Sequence, residues 1–290
     1  TNLYVDDTNN HTIRKIVISS GVVTTFAGST SFGSTDATGT SARFKNPWGI
    51  TTDGTNLYVA DRNNHTIRKI VISTGAVTTL AGTAGSSGST DATGTSARFN
   101  KPQGITTDGT NLYVADYNNH TIRKIVIATG VVSTFAGSPG SSGSTDATGT
   151  SARFKNPQGI TTDGTNLYVA DRTNHTIRKI VISTGVVTTL AGYPGSIGTT
   201  NGTGTSARFR YPGAITGYGS YLYVADTHNH TIRKIVISSG AVTTIAGSAG
   251  SSGSTNATGT SARFKYPVGI TTGGTNLYVA DTDNHRIRKI

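Results

Sequence analysis

The most constraining feature of this chain is one phrase that occurs six times: Leu-Tyr-Val, Ala or Asp, Asp, two variable residues, Asn-His, Thr or Arg, then Ile-Arg-Lys-Ile. Consecutive histidines of the phrase are 54 residues apart once and 55 residues apart four times. A fixed period of this length indicates one supersecondary unit copied in tandem, in which each copy buries its apolar surface against its neighbours. The chain is therefore predicted to be a repeat protein. The six histidines are His11, His65, His120, His175, His230 and His285.

One copy of the unit is clearest between residues 99 and 137. It contains four short runs that are rich in Val, Ile, Thr and Tyr, and none of them has the spacing of an amphipathic helix. Turns that contain glycine join the first run to the second and the third to the fourth. Four such antiparallel strands make one blade of a β-propeller. We name the runs a, b, c and d, and predict them at residues 104–108, 111–116, 120–128 and 131–137.

A connector rich in Gly, Ser and Thr joins each run d to the next run a, as in residues 137–158. Such a composition is typical of flexible linkers, but here it recurs with every period and ends in a phenylalanine. We therefore interpret it as an ordered crossing between blades, with the phenylalanine filling the gap between them. These residues are Phe44, Phe99, Phe154, Phe209 and Phe264.

The order Pro-x-Gly-Ile, Asp-Gly, Asn-Leu-Tyr-Val-Ala-Asp and Asn-His-x-Ile-Arg-Lys resembles NHL repeats. The resemblance covers essentially the whole chain, and each motif recurs five or six times. It implies a β-propeller, commonly of six blades. The position after Asn-His is Thr in five copies and Arg286 in the last, and this departure is not expected to disturb the fold.

The chain holds six copies of runs b and c but five of runs a and d. The fold class is predicted to be all-β, a six-bladed propeller of four-stranded antiparallel blades that forms one domain over residues 1–290 of a longer protein. The alternative is a five-bladed ring plus an extra hairpin. In the six-bladed prediction the first and last blades have uncovered strand edges, and such edges recruit further strands, so self-association through them is expected.

The net charge of +11 suggests nucleic acid as a partner, but the positions of the charges weaken this interpretation. Of 25 basic residues, 12 are the Arg-Lys pair of run c, and most of the others also recur once per copy. An even distribution is typical of a scaffold, whereas nucleic-acid binding favours a clustered stripe with exposed aromatic residues. The aspartate that ends run b also recurs, and it is expected to pair with the arginine of run c.

No catalytic constellation is visible. The chain lacks Cys, Met and Glu, and nearly every candidate residue occurs five or six times, whereas one active site needs one base. Because the repeated histidines would be far apart, they are interpreted as turn residues that bond a neighbouring strand rather than as metal ligands. The connector aspartates Asp36, Asp91 and Asp146 are interpreted as turn formers in preference to calcium ligands. No enzyme activity, metal or cofactor is predicted.

Function is expected where the copies disagree, and the disagreement is concentrated in the b–c turns and the d–a connectors, which strand order places at one end of every blade. Aromatic and basic residues at these positions are typical of a recognition surface. The alternative is neutral drift in exposed loops. The candidate ligand-binding residues are Trp48, Arg62, Lys101, Tyr117, Arg172, Tyr211, His228 and Tyr266.

The predicted function is therefore a non-enzymatic binding or scaffold propeller that recognises a protein or glycan through its b–c/d–a face. The polar composition favours the outside of a microbial cell, and no apolar run of about 18 residues predicts membrane insertion. NHL propellers in some proteins bind single-stranded RNA, and a basic arc of Arg62, Lys101, Tyr117 and Arg172 keeps that as an alternative. A structural subunit of an extracellular polymer is a second alternative.

Overall fold

The structure is a computed structural model that describes residues 1–290, and it is all-β. Its strands form six small antiparallel sheets, and three-residue 3₁₀ helices lie in the turns and connectors. None of these helices has the length or hydrophobicity that crossing a bilayer requires. The chain divides into two compact units, Thr1–Phe135 and Ala136–Ile290.

The first unit holds the sheets β1-β2-β3, β4-β5-β6-β7 and β8-β9-β10-β11, the last strand of which ends one residue beyond the unit. The strands are β1 (Asn2–Asp7), β2 (Thr12–Val17), β3 (Val23–Gly28), β4 (Gly49–Thr52), β5 (Asn56–Asp61), β6 (Thr66–Val71), β7 (Val77–Ala81), β8 (Pro102–Thr107), β9 (Asn111–Asp116), β10 (Thr121–Val126) and β11 (Val132–Ala136). The 3₁₀ helices are Thr8–Asn10, Gly39–Ser41, Arg62–Asn64, Gly94–Ser96 and Tyr117–Asn119.

The second unit holds the sheets β12-β13-β14-β15, β17-β18-β19-β20-β16 and β21-β22-β23. The strands are β12 (Pro157–Thr162), β13 (Asn166–Asp171), β14 (Thr176–Val181), β15 (Val187–Ala191), β16 (Gly202–Thr203), β17 (Ile215–Tyr218), β18 (Tyr221–Asp226), β19 (Thr231–Val236), β20 (Ala241–Ala246), β21 (Pro267–Gly273), β22 (Asn276–Asp281) and β23 (Arg286–Lys289). The 3₁₀ helices are Gly149–Ser151, Arg172–Asn174, Gly204–Ser206, Thr227–Asn229, Gly259–Ser261 and Thr282–Asn284.

The six sheets are the blades of a six-bladed β-propeller, and we number them in chain order. Three have the predicted four strands, the first and sixth have three, and the fifth gains β16 as a fifth strand. The six-bladed prediction is confirmed. The five-bladed alternative is wrong, because β21 pairs with β22 in a sheet of its own instead of completing the first blade.

The burial pattern of the central strands explains why their sequence is nearly continuous in apolar residues. Each copy of run b in blades 2 to 4 is buried from its second residue to its last, since blades pack against neighbours on both faces. Between blades 1 and 2, Phe44 is fully buried with Ile13, Ala27 and Leu57. All five connector phenylalanines are at most 1% exposed, so their predicted role in packing is confirmed.

The arginine of run c lies inside the blade and is fully buried in four copies, Arg68, Arg123, Arg178 and Arg233. Nη1 of Arg68 donates to Oδ2 of Asp61 at 3.0 Å and to the carbonyl of Arg43 at 2.8 Å. Its guanidinium group also stacks 5.1 Å from the ring centre of Phe44. The predicted Asp–Arg pairing is thus confirmed, and it joins runs b and c to the connector.

The connector aspartates have a role that the sequence interpretation missed. Oδ1 of Asp36 accepts from Nη2 of Arg68 at 2.5 Å, and its Oδ2 accepts the backbone N–H of Thr79 at 2.9 Å. Asp91 and Asp146 make the same contacts to Arg123 and Arg178. These residues are therefore second carboxylate partners of the buried arginine rather than turn formers, a pairing across 32 residues that local sequence cannot reveal.

In blade 5 the connector aspartate is replaced by an asparagine, and this difference allows the role of the connector acid to be tested. Oδ1 of Asn201 accepts from Arg233 at 3.0 Å and from the hydroxyl of Thr244 at 3.3 Å, but an amide nitrogen cannot accept the backbone N–H of Thr244. Asn201→Asp should raise the free energy of unfolding by about 1 kcal/mol, because bonds to a charged acceptor are stronger and this position is solvent-accessible.

Denaturant unfolding monitored by circular dichroism measures the effect. The matched variant Asp146→Asn should lower the free energy of unfolding by a similar amount. A neutral or destabilising Asn201→Asp would contradict the assigned role of the connector acid.

The aspartate that ends run b should contribute more to the free energy of unfolding than the connector acid does, because it is completely buried. In Asp116, Oδ1 accepts the backbone N–H of Asn100 at 2.7 Å and Oδ2 accepts from Asn119 and Arg123. Asp116→Ala should destabilise the protein by about 3 kcal/mol, since removing one partner leaves a buried cation under-compensated. The control Asp108→Ala, in the half-buried a–b turn, removes bonds from Asn111 and Tyr113 but leaves no buried cation unpaired, so it should lose less, about 1–2 kcal/mol. Equal losses in denaturant unfolding would refute this difference.

Candidate functional site

The repeated histidine fixes the backbone of the connector that follows its blade. Every one of the six histidines has a left-handed φ at the end of the 3₁₀ helix between runs b and c. In four copies its Nδ1 accepts a backbone N–H of the next connector at 3.1 Å. The histidine was predicted to bond a neighbouring strand, but its partner is the connector that precedes the next strand. The donor and acceptor pairs are Asn46 and His11, Lys101 and His65, Tyr211 and His175, and Tyr266 and His230.

The connector residue that donates this bond is itself in a left-handed conformation. Two copies place Asn there, Asn46 at φ 51° and Asn156 at φ 53°, and asparagine tolerates this region well. Tyr211 and Tyr266 adopt φ 50° and 45°, which is unfavourable for a bulky side chain. Tyrosine is therefore strained at a position where asparagine would be strained less. Such backbone strain is characteristic of functional positions.

Four of the candidate residues come together in the second unit, and we call them the Arg172 cluster: Arg172, Tyr211, His228 and Tyr266. The guanidinium carbon of Arg172 lies 5.0 Å from the ring centre of Tyr211, and its Nη2 lies 3.3 Å from Nε2 of His228. The ring of His228 lies 4.7 Å from that of Tyr211 and 5.1 Å from that of Tyr266. All four side chains are half-buried.

Two blades and two connectors position these side chains. Arg172 and His228 lie in the 3₁₀ helices of blades 4 and 5, while Tyr211 and Tyr266 lie in the connectors that enter blades 5 and 6. The backbone N–H of His228 donates to the carbonyl of Arg210 at 3.1 Å, which places its ring beside the neighbouring Tyr211. The site therefore depends on hydrogen bonds that the scaffold makes in every copy.

The Arg172 cluster is electropositive at its Arg172–His228 end, whereas the charge of Asp283 acts on His230, which contacts Tyr266. Burial lowers the pKa of His228 to about 4, and the positive charges of Arg172 and Arg210 add to this effect. Burial and the charge of Arg172 also lower the pKa of His175. No carboxylate lies within ion-pair distance of Arg172, in contrast to the arginines of run c. A cation whose neighbours are neutral rings is available to an anionic ligand.

A smaller aromatic and cationic contact lies in the first unit, where Arg62 stacks 4.9 Å from the ring centre of Trp48. Burial lowers the pKa of Arg62. Nε of Arg62 is buried without a hydrogen-bond partner. Lys101 joins neither group through its side chain, and the structure fixes its backbone through His65.

Phe32 was missed by the sequence interpretation. Its side chain is 64% exposed, with the ring of His11 5.8 Å away and Nζ of Lys45 5.3 Å from its ring centre. It occupies a connector position that is serine in three other copies and Ile197 in the fourth. Comparison of the copies at that position would have revealed it.

The NHL repeat pattern matches residues 44–70, 99–125 and 264–290, each of which runs from a connector phenylalanine through the Asn-His turn into run c. The chain is an NHL-repeat β-propeller. A pattern named the LVIVD repeat also matches residues 213–232.

Proteins similar to this NHL-repeat β-propeller have names that indicate different functions. It is 29% identical to human NHL repeat-containing protein 2 over 99% of its length, but it spans only 44% of that protein. An auxiliary nutrient binding protein from Bacteroides ovatus has a similar fold, with a TM-score of 0.72 and 19% identity over 99% of this chain and 65% of that one. A catalytically inactive variant of virginiamycin B lyase from Staphylococcus aureus superposes with a TM-score of 0.60 and 17% identity over 99% of this chain and 76% of that one.

The two kinds of histidine in the second unit should be distinguishable by NMR. An arginine only donates, so Nε2 of His228 must accept and its proton must reside on Nδ1. His175 and His230 accept at Nδ1 and must carry the proton on Nε2. Long-range ¹H–¹⁵N spectra at pH 7 should show opposite tautomers for these two classes.

His228 should also stay neutral until the pH falls well below 5. Because its pKa in the folded protein is below the unfolded value of about 6.5, the unfolded state binds more protons between these values and stability falls as the pH falls through that window. The variant His228→Asn, which copies Asn63 and Asn118, should lose less stability between pH 7 and pH 5 than the parent. A His228 titration midpoint near 6.5 would show that the pocket does not disfavour the imidazolium.

Proposed function

We propose that this propeller is a non-enzymatic binding module that acts outside the cell or at the surface of a microbial cell, and that recognises a protein or glycan through the loops carrying its b–c turns and d–a connectors. The observation that carries this proposal is the Arg172 cluster. The cluster brings together side chains from positions that vary among the copies. Two of them are tyrosines at backbone positions where asparagine would be less strained.

The chemistry of the cluster suits recognition better than turnover. Tyrosine and arginine dominate the energetics of interfaces because each combines a large contact area with polar donors. The name of the similar Bacteroides ovatus protein, an auxiliary nutrient binding protein, supports a binding role. The similarity to a lyase makes absence of turnover a property to be measured rather than assumed.

Single-stranded RNA is the second candidate, favoured by the overall charge of +11 and by the Arg62–Trp48 contact. An RNA-binding groove requires cations at successive phosphates, and its affinity falls steeply with salt. Affinity for poly(U) at two salt concentrations separates this candidate from a protein or glycan ligand.

The double variant Tyr211→Asn/Tyr266→Asn tests the proposed function. Asparagine occupies the same left-handed position in two other copies, so the variant should be at least as stable as the parent and yet lose the aromatic surface. Binding is measured by biolayer interferometry against partners selected on a glycan array and from an extracellular protein fraction. We expect a loss of at least tenfold in affinity.

The control Lys179→Gln removes a cation from run c, away from these loops, and should bind like the parent. A double variant that melts at the parent temperature and retains full affinity for every selected partner would disprove the proposed binding face.

A further inference from the structure

Arg172, like Arg62, contacts an aromatic face and no carboxylate, which sets these two residues apart from the arginines of run c and of the Ser-Ala-Arg connectors. The arginines of run c pair with carboxylates, and those that follow Ser-Ala in the connectors donate to nearby carbonyls, as Arg208 does to Thr205 at 2.7 Å. Arg172 instead contacts an aromatic face and a neutral ring nitrogen. Its charge is half-buried and has no anion beside it, so an anionic ligand could pair with it without displacing a carboxylate of the protein.

From this arrangement we infer that the Arg172 cluster is a binding site for a carboxylate-bearing sugar, a uronic acid unit of an acidic glycan. The inference rests on the proposed function and specifies the ligand class for the same surface. Arg172 would bind the carboxylate by charge-assisted hydrogen bonds, and Tyr211 and Tyr266 would contact the hydrophobic C–H face of the sugar ring.

The neutral imidazole of His228 defines the polar part of the site. Its Nε2 accepts from Arg172 and holds the guanidinium group over Tyr211, so the ring retains one N–H donor, at Nδ1. Together with the tyrosine hydroxyls, this donor matches the hydroxyl oxygens of a saccharide.

The number of cations argues against a nucleic acid at this place. The positive charges acting on His228 come chiefly from Arg172 and Arg210, and the backbone of Arg210 is already held through its N–H by Asp226. Such a pair can bind one carboxylate, whereas a phosphodiester chain requires a row of cations along its length. A single anionic group on a ring is the better match.

Isothermal titration calorimetry of the 290-residue chain with trigalacturonic acid tests the inference. The fully methyl-esterified trimer has the same rings without charge, and it should bind at least tenfold more weakly than the acid. Arg172→Thr, which copies Thr227 and Thr282 at the equivalent turn position, should lower affinity for the acid by at least tenfold and leave affinity for the ester within twofold. Lys179→Gln is the control for net charge and should bind the acid like the parent.

Several results would overturn the inference. Equal affinity for acid and ester, full affinity in Arg172→Thr, or binding of poly(U) or poly-glutamate without binding of the trimer would each exclude a uronate site. If no saccharide binds but Tyr211→Asn/Tyr266→Asn abolishes binding of a selected protein, the uronate inference fails and the proposed function stands. If that double variant retains every partner, the proposed function itself fails. The comparison of acid with ester involves no substitution, so it remains valid even if a variant folds poorly.

Discussion

A buried ion pair is the interaction on which blades 2 to 5 depend. The guanidinium group of run c enters the blade at Arg68 and its equivalents, where no water can solvate it. A charge in that environment must be compensated, so it draws in the aspartate that ends run b, a second acid or amide from the connector, and two connector carbonyls. Burial raises the pKa of Asp61 to about 6, against the effects of Arg68 and the surrounding donors. The pair therefore joins three segments that apolar packing alone would leave free to slide.

This interaction explains which residues are free to serve another purpose. The aspartate, asparagine, histidine and arginine of the repeated phrase each bond the connector, so a change at any of them would disturb the fold. Asn64, for example, donates to Gly33 and to Asp61. The two residues between Asp and Asn, and the left-handed connector residue, are held through their backbone, and in two copies their side chains also bond each other, as Asn63 does Asn46. Their side chains take no part in the ion-pair network, and these are the positions at which the copies differ.

The sequence predicts the blades well because their determinants are local. Runs rich in β-branched residues, glycine turns and a fixed period identify four strands per copy, and recurrence of one Asp and one Arg seven residues apart predicts their pairing. The connector acid was misassigned because its partner lies 32 residues away in another strand. Disagreement among copies identified the residues of the candidate site. It could not group them, since Arg172 and His228 are 56 residues apart and meet only when consecutive blades pack.

The two connectors that hold the strained tyrosines are also the two that have lost their acid. Asp36, Asp91 and Asp146 lie in connectors whose left-handed residue is Asn46, Lys101 and Asn156, whereas Asn201 and Asn256 accompany Tyr211 and Tyr266. In the connector of Asn201 both changes act against stability, because the amide replaces a charge-assisted bond to the buried Arg233 and the left-handed φ of Tyr211 strains the backbone. Both also favour an anionic ligand, because each lost carboxylate makes its connector more positive while each tyrosine adds an aromatic surface. These two connectors also supply the aromatic residues of the Arg172 cluster, so the proposed ligand gives one physical reason for both changes.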